Sequence, residues 1–348
     1  MTELAGVDVA IRERLIRQLL TRRGLAAEQE RIPRREPGAV VPLSPLQEGL
    51  WFLSGLQPHN SAYVMLWSAR LTGPLDAAVL QRALDAVVAR HEALRTHLAA
   101  AGSRGATQVV LPPGDPRTRV QMRPVDLSGV PPAELDDAIN RTVLDTIDAA
   151  AGIASCPLPR ATLARVSDVE HVVALAVQHI VVDDRSLRVV VRELFDCYAA
   201  LRRGAEWIAP PPACQYPDYA VWLRRRLRTE SGLERQRRYW AERLAGATGG
   251  VDLPTDRPRP AVMTLRGAAR SYPVPAKLRH GLDALGARLG ATRFMVMLAG
   301  LQALLARLSG QDDICVGSPF TLRSRPELAE AVGLFVNSLP LRTDLSGD

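Results

Sequence analysis

The sequence predicts an α/β fold, because apolar runs typical of strands alternate with amphipathic stretches typical of helices. The clearest strand is the unbroken apolar run at 171–177, which is typical of a strand covered on both faces. The clearest helices are at 75–91 and 133–149, where apolar residues recur at helical spacing. The chain has 348 residues, 47% of them hydrophobic, which is enough for two lobes with a sizeable core.

Two tracts divide the chain. Residues 1–37 combine an amphipathic helix at 8–25 with a charged, proline-bearing linker; the alternative is a mobile tail with no partner. The proline-rich tract at 204–212 is the clearest internal boundary, so we predict one lobe at 38–204 and a second at 205–348. The elements expected in the second lobe are a helix at 217–244, a strand at 268–274, helices at 275–289 and 292–308, and strands at 313–317 and 335–342.

Composition argues against several classes of function. The net charge is +7, but Lys277 is the only lysine and the arginines are scattered among acids, so we expect no nucleic-acid partner. The dense cluster at 224–228 is interpreted as a solvated helix face, with a patch for an acidic protein as the alternative. No apolar run could span a bilayer and the N-terminus is no signal peptide, so we expect a cytoplasmic protein without membrane contact.

Metal and cofactor motifs are missing from the sequence. The four cysteines are widely spaced, with no CxxC pair and no His/Cys cluster at metal-ligand spacing. No glycine-rich phosphate loop is present either. We therefore expect no bound cofactor, no metal, and cysteines that act as buried small hydrophobic residues.

The candidate chemistry lies where the strand at 171–177 ends. Gln178 and His179 follow the strand, and Asp183 and Asp184 open the next helix. A histidine there can accept or steer a proton near neutral pH. An aspartate just before a helix is placed for an ion pair or for the helix dipole. The His-x-x-x-Asp spacing alone is weak evidence, since a histidine closing a strand and an aspartate capping a helix give the same pattern.

Four further motifs occur in a fixed order around this segment. They are LSPLQEGLWFL at 43–53, RHEALRT at 90–96, YPDYAVW at 216–222 and VGLFVNSLPLR at 332–342. Together with the segment at 178–184, they resemble the motifs of condensation domains from nonribosomal peptide synthetases, whose active-site motif is HHxxxDG. The resemblance runs from about residue 33 to the end of the chain. We interpret the stretch at 90–96 as structural, with His91 and Arg95 tying the helix end to the sheet.

The resemblance implies a fold and a reaction. The fold would be two chloramphenicol-acetyltransferase-like lobes in a V shape with a central tunnel. The second lobe would be incomplete, because the family normally continues well beyond the 332–342 motif. Two alternatives stay open: a fragment of a longer synthetase, or a complete product whose tunnel would lack part of its roof. The reaction would join an upstream carrier-bound acyl or peptidyl thioester to a downstream carrier-bound aminoacyl amine. Upstream and downstream peptidyl carrier proteins, whose phosphopantetheine arms deliver both substrates, and an adjacent adenylation domain would be the partners.

The resemblance also assigns roles to residues. His179 matches the histidine that acts on the amine. Asp183 matches an aspartate that shapes the site by pairing with an arginine of the other lobe; Arg323 is our candidate, and Arg325 is nearly as good. Asn337, in the last motif, is assigned a structural part in the active site.

Two positions depart from the family motif. Gln178 replaces its first histidine, a mainly structural position where an amide still donates and accepts hydrogen bonds. Asp184 replaces its glycine, which would add charge beside Asp183 and narrow the channel. A non-catalytic branch that recruits oxygenases also has this aspartate, but it lacks the histidine that this chain keeps at 179. The alternatives to an enzyme are therefore a degenerate docking platform for carrier proteins or tailoring enzymes and, more remotely, a freestanding acyltransferase.

Overall fold

The computed structural model describes residues 31–347 except 103–104, 154–155, 229, 248, 259 and 262–266. The helix predicted at 8–25 lies outside these residues. The strands are β1 (Val41–Pro42), β2 (Val64–Thr72), β3 (Thr96–Ala101), β4 (Gly105–Val110), β5 (Met122–Asp126), β6 (Arg160–Ser167), β7 (Glu170–Gln178), β8 (Asp313–Thr321) and β9 (Val336–Asp344). The helices are α1 (Pro45–Leu56), α2 (Ala77–Arg90), α3 (Pro132–Ala149), α4 (Asp184–Arg202), α5 (Tyr216–Leu227), α6 (Glu230–Arg243), α7 (Ala276–Leu289) and α8 (Arg293–Ser309).

A four-stranded sheet in the order β2-β7-β6-β5 holds the predicted strand at 171–177 near its centre. β7 runs antiparallel to both of its neighbours, and only β5 and β6 are parallel. The prediction of a strand covered on both faces is confirmed, since every residue of β7 after Glu170 is buried. The continuous apolar run is therefore explained by the helices that cover both faces of the sheet. It does not indicate that β7 pairs with parallel neighbours.

The two faces of β7 bury alternate residues, as the period of a strand requires. Val173, Leu175 and Val177 belong to the main core together with residues of α2 and α4. Val172 belongs to a smaller cluster on the other face, which includes residues of α3. The helices predicted at 75–91 and 133–149 are thus confirmed as the elements that cover this sheet.

The second half of the chain departs from the prediction at two places. The single helix expected at 217–244 is two helices, α5 and α6; α5 ends where the Arg228 N–H bonds to the Arg225 carbonyl three residues back. The strand expected at 268–274 is wrong: residues 267–275 are exposed and irregular, and Pro273 has no N–H to give a strand partner. The predicted helices α7 and α8 and the antiparallel strands β8 and β9 are present.

Two smaller expectations concern cysteines and membrane spans. Cys197 and Cys214 are buried, but Cys156 and Cys315 are half-buried, so the prediction of four buried thiols is only partly right.

None of the helices in the described residues is long and apolar enough to cross a membrane alone. Helices α7 and α8 meet the length and composition criteria only when taken together, across a bend of 102°.

Candidate active site

His179 lies in a tight turn directly after β7. Its backbone N–H donates to the Tyr63 carbonyl at 2.8 Å, and the Val181 N–H closes the turn on the Gln178 carbonyl at 3.1 Å. The imidazole is half-buried, and its Nδ1 lies 2.6 Å from the Val182 carbonyl oxygen. A carbonyl only accepts, so Nδ1 carries a proton, and in the neutral form of the ring the lone pair lies on Nε2. Nε2 has no hydrogen-bond partner among the described residues.

Gln178 is the last residue of β7 and is buried. Its Nε2 donates to the carbonyl of Ala150, just past α3, at 2.6 Å. Its side chain also lines a small cavity with Tyr63 and Ile153. Gln178 therefore joins the end of β7 to the end of α3 through this hydrogen bond.

Asp183 caps the N-terminus of α4 and has no solvent exposure. Its Oδ1 accepts from the Ser186 N–H at 2.7 Å and lies 2.6 Å from Ser186 Oγ. Its Oδ2 accepts from the Phe335 N–H at 3.1 Å. The carboxylate is therefore hydrogen-bonded on both oxygens and joins α4 to the segment before β9.

Arg323 is the arginine that pairs with Asp183. Its Nη2 lies 2.9 Å from Asp183 Oδ1, and its Nη1 donates to the carbonyls of Leu328 and Ala331 at 2.6 Å each. Its guanidinium lies over the Phe335 ring, 4.2 Å from the ring centre. Burial lowers the pKa of Arg323, and the charge of Asp183 opposes that shift. The predicted contact is confirmed.

Arg325, the other candidate for this pairing, lies elsewhere. Its Nε contacts Glu327 Oε1 at 2.9 Å, and its guanidinium lies 5.2 Å from the Trp222 ring centre.

Asp184 and Asn337 lie outside the buried cluster around Asp183. Asp184 is exposed at the first turn of α4, and its carboxylate pairs with Arg188 at 2.6 Å. An acid at a helix N-terminus is favourable for the helix dipole. Asn337 is half-buried on β9, opposite Phe320 in the ladder, and its side chain forms no hydrogen bond to a described residue.

Some polar residues of this region were not assigned a role from the sequence. Gln47 Nε2 donates to the Ile180 carbonyl, inside the His179 turn, at 3.0 Å. Ser44 Oγ lies 2.8 Å from Tyr216 Oη, which donates to the Leu334 carbonyl at 3.0 Å. Ser44 and Gln47 could have been recognised from the sequence, because Ser-x-x-Gln before an apolar run is the pattern of a capping box.

The 90–96 motif is structural in a different way from the one predicted. His91 Nε2 lies 2.7 Å from Glu193 Oε2, so this side chain binds helix α4 and not the sheet. Arg95 donates to the carbonyl of Leu111, directly after β4, as expected. In the part of the chain that the structure describes, no group of three or more His, Cys, Asp or Glu side chains could hold a metal ion.

Comparison with known proteins identifies the class. A family model described as the condensation domain matches residues 38–348. Malpibaldin synthetase from Mortierella alpina is 40% identical over 318 residues, which is 91% of this chain and 6% of that protein. Phosphinothricin tripeptide synthetase PhsC from Streptomyces viridochromogenes is 38% identical over 318 residues, which is 89% of this chain and 28% of that protein.

Solved structures agree. The X-domain from teicoplanin biosynthesis gives a TM-score of 0.81 at 28% identity, with 92% of this chain and 69% of that one covered. The first condensation domain of the CDA synthetase gives a TM-score of 0.71 at 26% identity, with 89% and 72% covered. The chain therefore belongs to the condensation domain family of nonribosomal peptide synthetases and has its chloramphenicol-acetyltransferase-like fold. Domains of this family act on substrates that carrier domains hold on phosphopantetheine arms.

Proposed function

We propose that this chain forms an amide bond between a carrier-bound acyl or peptidyl thioester and the amine of a carrier-bound aminoacyl group. One observation carries the proposal: the half-buried His179 donates its Nδ1 proton to the Val182 carbonyl, so the neutral form of the ring has its lone pair on Nε2. A fixed tautomer is what a group that accepts a proton from an amine requires.

The reaction follows from that lone pair. The neutral amine attacks the thioester carbonyl, and the new C–N bond gives an intermediate with a negative oxygen and a positive nitrogen. Nε2 of His179 takes the proton from that nitrogen. The C–S bond then breaks, the carbonyl reforms, and the proton passes to the departing thiolate. Holding the amine in line with the carbonyl contributes alongside the proton transfer.

The neighbouring residues support His179 without touching the reacting atoms. Asp183, four residues after His179, pairs with Arg323 and fixes the start of α4 against the segment before β9. Gln178 fixes the residue before it. Asp184, exposed and paired with Arg188, is assigned no part in the chemistry, and neither is Asn337.

The proposal extends to partners and organisation. Upstream and downstream peptidyl carrier proteins would present the substrates, with an adenylation domain adjacent. We divide the chain into residues 1–37 ahead of the fold, a first lobe at 38–204 that holds His179, and a second lobe at 205–348. The place of action would be the cytoplasm.

The test measures the rate at which the native polypeptide that contains this chain forms dipeptide from two loaded carrier proteins. His179→Ala should lower the rate by roughly 100-fold or more, which is the contribution of a positioned acid–base group. His280→Ala, a change at an exposed histidine of α7, is the matched control and should leave the rate unchanged. A wild-type rate in His179→Ala would refute the proposal. If the parent binds both carrier proteins and forms no dipeptide, the chain is a docking platform instead.

A further inference from the structure

The turn that carries His179 includes a buried residue, Ile180, whose carbonyl has no partner in the sheet. The Ile180 carbonyl lies beyond the last paired residue of β7. Gln47 supplies the donor: its Nε2 lies 3.0 Å from that oxygen. Gln47 is fully buried, so a side chain from α1 takes the place that water would fill in an exposed turn.

Gln47 is itself held in one orientation. Its Oε1 accepts from the Ser44 N–H at 3.0 Å, and the Ser44 Oγ accepts from the Gln47 N–H at 3.2 Å. Because the Ser44 N–H only donates, the oxygen of the amide faces Ser44 and its NH₂ group faces Ile180. Gln47 Nε2 also donates to Gln108 Oε1, with 3.3 Å between the two atoms, and Gln108 in turn donates to the Pro42 carbonyl at 2.8 Å. Each hydrogen-bonding atom of the Gln47 amide therefore has a partner.

The Ile180 carbonyl lies close in the chain to the acceptor that fixes the His179 ring. The ring is fixed through Nδ1 to the Val182 carbonyl, two residues after Ile180 and in the same turn. A rotation of the peptide groups at 180–182 would move that acceptor, and with it the Nε2 atom of His179. We propose that Gln47 is a positioning residue for His179, acting through the Ile180 carbonyl. The expected effect of Gln47 on the reaction rate rests on the proposed function. Its expected effect on the position of the His179 ring does not.

Two variants and one matched control test this. Gln47→Met keeps the length of the side chain and removes its donor and acceptor. Gln47→Glu keeps the capping box, and so the start of α1, but its carboxylate has no N–H for Ile180. The control is Gln302→Met in α8, since Gln302 is also buried and donates its Nε2 to a backbone carbonyl, that of Leu341, at 3.0 Å.

Two readouts separate positioning from general destabilisation. The turnover of both Gln47 variants should fall by roughly tenfold to a hundredfold with little change in KM for the carrier proteins, as expected for a displaced catalytic group. The second readout is the NMR spectrum of the chain with isotope-labelled histidine. The chain has six histidines, so the spectrum has few imidazole signals, and the signal that disappears in His179→Ala is that of His179. That imidazole signal should change in both Gln47 variants and stay unchanged in Gln302→Met.

Two results would overturn the inference. One is an unchanged His179 signal in a folded Gln47→Glu variant, whatever its turnover. The other is an equal change of the signal in Gln302→Met, since that would report general loosening. A wild-type rate in His179→Ala refutes the proposed function alone, because the imidazole signal would still report whether Gln47 holds the turn.

Discussion

Arg323 donates to Asp183 at 2.9 Å, joining two residues 140 positions apart whose side chains are 3% and 0% exposed. The pair connects the start of α4 to the segment that leads into β9. A buried charge that loses its partner is costly, because the low-dielectric interior neither screens nor solvates it. The contact therefore gives a prediction about stability that does not depend on the proposed chemistry.

Asp183→Ala should lower the free energy of unfolding by about 3–5 kcal/mol, because it leaves the Arg323 charge uncompensated and removes the cap of α4. Chemical denaturation followed by circular dichroism measures the change. Asp184→Ala is the matched control: that carboxylate is exposed and pairs only with Arg188 on the surface, so the change should stay below about 1 kcal/mol. Equal stability of the two variants would contradict the role given to the buried pair.

Gly333→Ala should be strongly destabilising because a Cβ at this position would overlap the ring of Tyr216, which is itself fully buried. Overpacking of this kind costs about 1–3 kcal/mol or more when the neighbour cannot move. Gly317→Ala on β8 is the control, since nothing lies within 4 Å of a Cβ there. The comparison is made by thermal unfolding of both variants. A Gly333→Ala variant as stable as Gly317→Ala would show that Tyr216 does not fill that space.

Restoring the family residues at the two departures should not raise turnover. Asp184 faces solvent, and Gln178 already bonds the Ala150 carbonyl, so neither side chain stands in the way of His179. The double variant Gln178→His, Asp184→Gly should form dipeptide at the parent rate, within about threefold, in the assay described for His179→Ala. Glycine in the first turn of α4 should cost stability, by at most about 1 kcal/mol. A tenfold gain in turnover would instead mean that the departures impair the site.

Cys214 should resist alkylation. Burial raises the pKa of its thiol to about 12, so almost no thiolate is present at pH 8 and the sulfur is also inaccessible. Iodoacetamide at pH 8, followed by peptide mass spectrometry, should label the half-buried Cys315 first and Cys214 only after unfolding. Labelling of both at similar rates in the folded chain would contradict the packing around Cys214.

The sequence by itself determined the family and most of the elements. Ordered motifs predicted the condensation domain, and apolar periodicity predicted β7, α2 and α3, because local spacing decides which face of a strand or helix is buried. The same reasoning failed at 268–274, where a short pattern suggested a strand but the residues are exposed. It also missed the break between α5 and α6, although Thr229, Ser231 and Gly232, which are weaker helix formers than the arginines and leucines around them, stand in the sequence close to that break.

Only the tertiary structure decided how the motifs meet. Arg323 and Arg325 differ by two positions, and nothing local separates them; the first reaches Asp183 while the second pairs with Glu327. Likewise, the capping box at Ser44 was readable, but the donation from Gln47 to Ile180 joins positions 133 apart in the chain. Contacts over such separations depend on how the elements pack, and packing is decided by the whole core and not by any single stretch of sequence.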